Sequence, residues 1–368
     1  MRTKLLRSGL GFFAFAAAVS LINVLFLPYA RTNYGFSLPG LWLSYAAALA
    51  LLMLAGRAVS RMSAAKAERM TRVLAPTFIA LLFAVHLLLG YLMEYTPSGD
   101  NSMLYNGAQM LAADGNFDKR PAIETYLLHF SNQWGFLLML AGFYKLLFAL
   151  GVTQTFFPLA LAQAVLYIFG TRATLRIAKR LSSAKGELMT LLMLACCLPM
   201  YLAAAVLYTD TFSVPFIMMA LDLALRIRDE SSRNKQLALA AACGVVVSIG
   251  CQIKMTVLIA LMAAVIVWLL EMKPARALLC AALSAAIVAG GSIAAQRFML
   301  SRVLDPQEAA QNRTPTIHWI MMSIPSANNP YGGYMDDYTP TWRMMEEGAT
   351  HEEVMASIYT RMKDRIYT

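Results

Sequence analysis

Apolar runs of membrane-spanning length recur along almost the whole of this 368-residue chain, more than a soluble architecture could bury. They cover 10–27, 38–55, 75–93, 135–150, 156–170, 188–207, 212–225, 237–250, 257–270 and 277–295. A hydrocarbon core ~30 Å thick needs about 20 apolar residues per helix and offers no partner to unpaired backbone groups. Ten such runs predict an all-α fold, a polytopic bundle of membrane helices. Charged residues are only 14% of the chain, far fewer than a soluble surface of this size carries.

The formal charge of +10 has its own distribution. Basic residues cluster in short connections, as cytoplasmic loops facing anionic lipid do. No basic stripe with interleaved aromatics appears, so nucleic acid is not an expected partner. Cys196, Cys197, Cys243, Cys251 and Cys280 lie in or beside apolar runs without metal-ligand spacing, and read as small buried hydrophobes. Arg2, Lys4 and Arg7 before the first run suit an uncleaved signal-anchor with a cytoplasmic N-terminus in a multi-pass cell-membrane protein.

Sidedness then follows loop by loop. The connections holding Arg57–Arg72, Arg172–Lys185, Arg226–Lys235 and Lys273–Arg276 are expected inside. Residues 95–131 are expected outside, with the more acidic region after Arg297. An odd number of crossings must separate 95–131 from 172–185, yet two apolar runs lie between them. Run 135–150, with Tyr144 and Lys145 mid-run, is the one read as re-entrant or juxtamembrane. That choice puts Asp100, Asp210 and Lys254 on one face. The expected organisation is a spanning region, 1–296, with an external loop at about 95–131, then an external helical segment, 297–368.

Three ionisable residues stand out on that face. Asp100 precedes a short amphipathic stretch (Leu104, Ala108, Leu111 on one side) suited to the headgroup plane. An Asp here is first of all an N-cap, and it is also a candidate base. Asp210, in Tyr208-Thr-Asp-Thr211, suits a turn, while an acid at the bilayer boundary is a site candidate. Lys254 runs against the positive-inside trend and could anchor to lipid or hold a phosphate. Arg297 and Arg302, at the mouth of the last run, carry the same two readings. His129, Asn132, Gln133 and Trp134 form a polar-aromatic cluster before run 135–150. Trp134 suits an aromatic belt, and Asn132 and Gln133 suit a sugar or backbone. His86, inside an apolar run, reads as an interhelical hydrogen-bonding residue.

With these residues in view, the chain resembles the polytopic glycosyltransferases of the GT-C type, in the family-39-like group of protein O-mannosyltransferases and aminoarabinose transferases. The resemblance is carried by Ser98-Gly-Asp-Asn101 with Tyr105 and Ala108, by Tyr126 with His129-Phe-Ser-Asn-Gln-Trp-Gly135, by Tyr208-Thr-Asp-Thr-Phe-Ser-Val-Pro215, and by Ile253-Lys-Met-Thr256. His318-Trp-Ile-Met-Met322 and Tyr331-Gly-Gly-Tyr-Met-Asp-Asp337 look like the external region of bacterial members. The resemblance implies Asp100 and Asp210 as the catalytic acids, with Lys254 near a lipid-phosphate pocket. Arg297, Tyr105, His129, Asn132 and Gln133 join Lys254 as candidate substrate-binding residues. Asn101 stands where the family has a second carboxylate, which weakens a metal site. No cofactor is expected beyond a divalent cation left open, because the lipid-linked sugar is a substrate. The implied donor is an undecaprenyl-phosphate-type lipid, the acceptor a cell-envelope glycan or protein, and membrane lipids are the remaining partners. Family members continue with further spans, so the chain reads as shortened at its C-terminus.

The implied chemistry is coherent. A sugar leaving a polyprenyl phosphate departs as a stable anion, so one general base on the acceptor suffices, whereas a glycosidase needs an acid as well. Direct displacement inverts the anomeric centre. The rival readings are a lipid-sugar flippase or other transporter and a non-catalytic scaffold. Transporters favour internal repeats and mid-membrane charges, and apart from Lys145 and Asp222 the ionisable groups here lie near run ends.

Overall fold

The computed structural model describes residues 38–93, 97–117, 120–322, 324 and 334–367. The N-terminal basic cluster, the run at 10–27 and Tyr331–Gly333 lie outside the described residues. Every regular element among those described is helical. In chain order they are α1 Leu38–Arg61, α2 Ala64–Leu92, α3 Asp100–Ala113, α4 Pro121–His129, α5 Trp134–Ala149, α6 Phe156–Leu181, α7 Ala184–Ala195, α8 Leu198–Leu202, α9 Thr209–Asp229, α10 Arg233–Ile253, α11 Leu258–Glu271, α12 Pro274–Arg302, α13 Pro306–Asn312, α14 Thr316–Met322, α15 Tyr334–Glu346 and α16 His351–Tyr367. Short 3₁₀ turns precede α5, follow α8 and precede α11.

Four described helices are long and apolar enough to cross a membrane: α2, α6, α10 and α12. A fifth candidate span is broken, with α7 and the turn after it bent by 60° at Cys196–Leu198. The ten sequence runs thus reduce to fewer full spans. α11 is short, α5 has 16 residues, and α9 carries Asp210, Asp222, Arg226 and Arg228. α9 tolerates its charges because protein encloses it: Phe212, Phe216, Ala220, Asp222 and Ala224 are buried against neighbouring helices. Outer helices instead expose Leu81, Leu88, Ile259, Met262 and Ile266, the surface that lipid would cover.

Small residues and side-chain hydrogen bonds hold the inner helices together, as expected where no hydrophobic force drives helix association. At Gly244 on α10 an added methyl would sit 3.0 Å from the Ser284 Cα on α12, so the two backbones nearly touch. Ser284 Oγ donates to the Ala240 carbonyl at 2.9 Å, and Trp268 Nε1–H to the Ala224 carbonyl at 3.0 Å. His86 bonds the Met200 carbonyl at 2.8 Å, tying α2 to the broken span, as expected of a polar residue inside an apolar run. Cys243, Cys251 and Cys280 are buried as expected. Cys196, by contrast, is exposed at the break, where the helix has unwound.

The two ends of the bundle differ. One carries the basic connections, cross-linked by Lys179–Glu68 (3.1 Å), Arg176–Asp222 (2.8 Å), Arg180–Asp229 (2.8 Å) and Arg228–Glu271 (3.6 Å). These pairs are mostly solvated and add little stability individually, but they align the ends of α2, α6, α9 and α11. Opposite lie the N-termini of α6 and α9 and the C-termini of α10 and α12. α5 begins and ends there. The backbone at Gly135 abuts Gln252 at the end of α10, and near the other terminus the Tyr144 side chain lies beside Thr155, just before α6. α5 therefore begins and ends at one end of the bundle, the arrangement expected of a re-entrant or juxtamembrane run.

Candidate functional site

α3 starts without a side-chain cap. Gly99 occupies the N-cap with φ +54°, a region that costs an L-residue energy and glycine little. Asp100 is the first helical residue, and the capping role the sequence suggested is not the one its carboxylate fills. The Tyr208 hydroxyl donates to Asp100 Oδ2 at 3.5 Å, a long contact of the kind that substrate can tighten. Burial raises the Asp100 pKa above the ordinary value, while hydrogen bonds from Tyr208 and Tyr126 pull it back. The Tyr208 hydroxyl itself is pushed up to about 12, by burial and by the neighbouring Asp100 and Asp210 charges, so it stays a neutral donor.

Tyr208 caps α9, donating its backbone N–H to Thr211 Oγ1 (3.2 Å), and Asp210 lies in the first turn. There the helix dipole favours a carboxylate. α10 ends at Ile253, and Lys254 takes an extended backbone with its N–H on the Gly250 carbonyl at 2.8 Å. Its Nζ is thereby delivered to Asp210 Oδ1 in an ion pair. Asp100, Tyr208, Asp210 and Lys254, drawn from three distant stretches of chain, form one continuous array.

A cavity of about 540 Å³ opens beside Lys254, within the usual range of small-ligand sites. Its polar wall includes Asn132, Gln252, Lys254, Gln296 and Arg313, and Trp134 and Trp319 supply broad apolar faces. Asp100 is not part of that wall; the array connects it to the cavity through Lys254. α5, α10 and α12 form one side, and the segment from 303 onward folds back as the other. α12 runs to Arg302, so the C-terminal segment begins six residues later than the sequence division at 297.

Several sequence-predicted residues fall elsewhere. Tyr105 is fully buried, its hydroxyl donating to the Leu207 carbonyl, and fixes α3 to the approach to α9. His129 is buried, hydrogen-bonds the Asn312 carbonyl at 2.8 Å and meets the Trp342 ring edge-on. These contacts fasten the C-terminal segment, and burial lowers the pKa of the ring. Gln133, the last residue of the 3₁₀ turn before α5, is buried and outside the cavity wall. Arg297 is exposed on α12, outside the cavity wall, one position from Gln296, which lines it. Trp134 is buried, with Nε1–H on the Leu127 carbonyl at 2.7 Å, instead of standing in an aromatic belt. Tyr208 and Arg313 are the residues sequence reasoning missed. Tyr208 lay within a quoted motif, but nothing marked its hydroxyl as the link between two acids, and Arg313 carries no local signal at all.

Residues 19–366 match the description of a family of conserved hypothetical integral membrane proteins. The chain belongs to that family. No curated protein matches it, and no solved structure does. Membership agrees with the apolar helices in making this an integral membrane protein of several spans. Among the described residues of this family member, no group of three or more His, Cys, Asp or Glu side chains is arranged to hold a metal ion.

Proposed function

We propose that this integral membrane protein is a glycosyltransferase that moves a sugar from a polyprenyl-phosphate donor to an acceptor hydroxyl. The observation that carries the reading is the array Asp100–Tyr208–Asp210–Lys254 running up to a cavity with two cations and two tryptophans. In this reading Lys254 and Arg313 bind the donor phosphate, while Asn132, Gln252 and Gln296 engage sugar hydroxyls. Asp100, outside the cavity wall, takes the acceptor proton. The acceptor oxygen bonds to the anomeric carbon, the carbon–oxygen bond to phosphate breaks, and the lipid phosphate leaves as an anion. Cations aimed at that developing charge lower the barrier. Direct displacement of this kind inverts the anomeric centre. Asp210 then acts by holding Lys254, which divides the work between the two acids that the resemblance treated alike.

The test is direct. Purified protein is incubated with a polyprenyl-phosphate sugar labelled in the sugar and a membrane extract as acceptor. Label moving to acceptor with release of polyprenyl phosphate supports the reading. Donor translocated across a vesicle without cleavage makes the protein a flippase, and sinks it.

A further inference from the structure

A second cavity, of about 480 Å³, lies between α3, α5 and α12, away from the array. Leu111, Leu138, Ala141 and Phe298 line it with apolar surface, and Lys145 and Arg302 bring two cations to it. Neither cation forms an ion pair with a described residue. That sets them apart from Lys179, Arg176, Arg180 and Arg228 at the basic end, each of which meets an acid. Lys145 interrupts an otherwise apolar helix, and Arg302 ends α12 at the non-basic end of the bundle, where loop charge gives no reason for either. Leu146, Leu150 and Phe298 beside the groove are exposed, so its surroundings are the hydrocarbon surface of the protein. The neighbour always present at such a surface is a bilayer lipid.

We propose that this groove is a binding site for an anionic phospholipid, its phosphate held by Lys145 and Arg302 and an acyl chain lying along Leu138 and Phe298. The juxtaposition matches an amphiphile: two cations without an ion pair to any described residue, beside an apolar trough. A neutral zwitterionic lipid brings its own cation to the phosphate and matches the pair poorly. The assignment stands apart from the transferase reading, since it uses none of that array.

Native mass spectrometry of the full chain, released from membranes of equal phosphatidylglycerol and phosphatidylcholine content, tests it. The wild type should retain phosphatidylglycerol preferentially, and each of Lys145→Gln and Arg302→Gln should cut that preference about fivefold. Lys145→Arg should keep it. Arg297→Gln, an exposed cation on the same helix outside the groove, should leave it unchanged. Equal retention of both lipids by the wild type, or an unaltered preference in both groove variants, overturns the assignment. Preference for added polyprenyl phosphate over phosphatidylglycerol, lost in the same variants, also overturns it and makes the groove a carrier-lipid site. If either single variant fails to insert, the remaining one and the Lys145→Arg control carry the comparison.

Discussion

At the scale of single residues, the two acids do different work because their partners differ. Asp100 meets phenol hydroxyls and Asp210 an ammonium. Removing the Tyr208 hydroxyl takes away a donor that lowers the Asp100 pKa. A base must be deprotonated, so Tyr208→Phe should move the acid limb of the transfer rate to higher pH, with the alkaline plateau reduced far less. A pH–rate profile of donor turnover reads this, and a limb that moves to lower pH contradicts it. Asp210→Asn should act through Lys254, raising KM for the lipid-phosphate donor several-fold with a smaller change in kcat. A pure loss of kcat there would put Asp210 in direct contact with the reacting atoms. Sequence alone brought out Asp100, Asp210 and Lys254 because each is a charge where the neighbouring pattern is apolar. It could not rank them, since rank depends on which side chain each one meets. His129 shows the same blindness in reverse: a conspicuous polar residue whose partner, Asn312, lies 183 positions away.

At the scale of elements, the expected sidedness of the loops turns on α5. Its residues are as apolar as a span's, yet Gly135 packs on Gln252 and Tyr144 reaches Thr155 at the same end of the bundle. The loop charges already required a non-crossing run between 95–131 and 172–185, and Lys145 marked which one. Hydropathy could not supply that answer, because a helix buried against protein and one immersed in lipid are equally apolar. Single cysteines at Ser131 and Gly151, in a background lacking the five native cysteines, should both react with a membrane-impermeant maleimide from the same side. Labelling from opposite sides would make α5 a crossing. Whether α9 counted as a span was likewise illegible, since its acids and arginines are tolerated only because other helices surround it.

At the scale of the molecule, a helical bundle with a basic end carries its candidate site at the opposite end, roofed by the segment after Arg302. That roof is attached through His129 to Asn312, Phe130 against Trp319, and the Thr314 amide on the His129 carbonyl at 3.1 Å. His129→Ala should leave the spans folded while making residues 303–367 more susceptible to limited proteolysis, with a matching loss of donor affinity. Unchanged cleavage would mean the segment is held elsewhere. The all-helical membrane architecture was legible at once from the spacing of apolar runs. The cavity was not, because it exists only where Arg313 and Trp319 return to cover α10 and α12.

The most direct measurement is single-turnover transfer by purified Asp100→Asn protein alongside its binding of the polyprenyl-phosphate sugar. An isosteric amide keeps the packing of α3 and removes the proton acceptor, so donor binding should persist while transfer falls about a hundred- to ten-thousand-fold. Transfer at the wild-type rate, with binding intact, would show that this carboxylate takes no part in the chemistry.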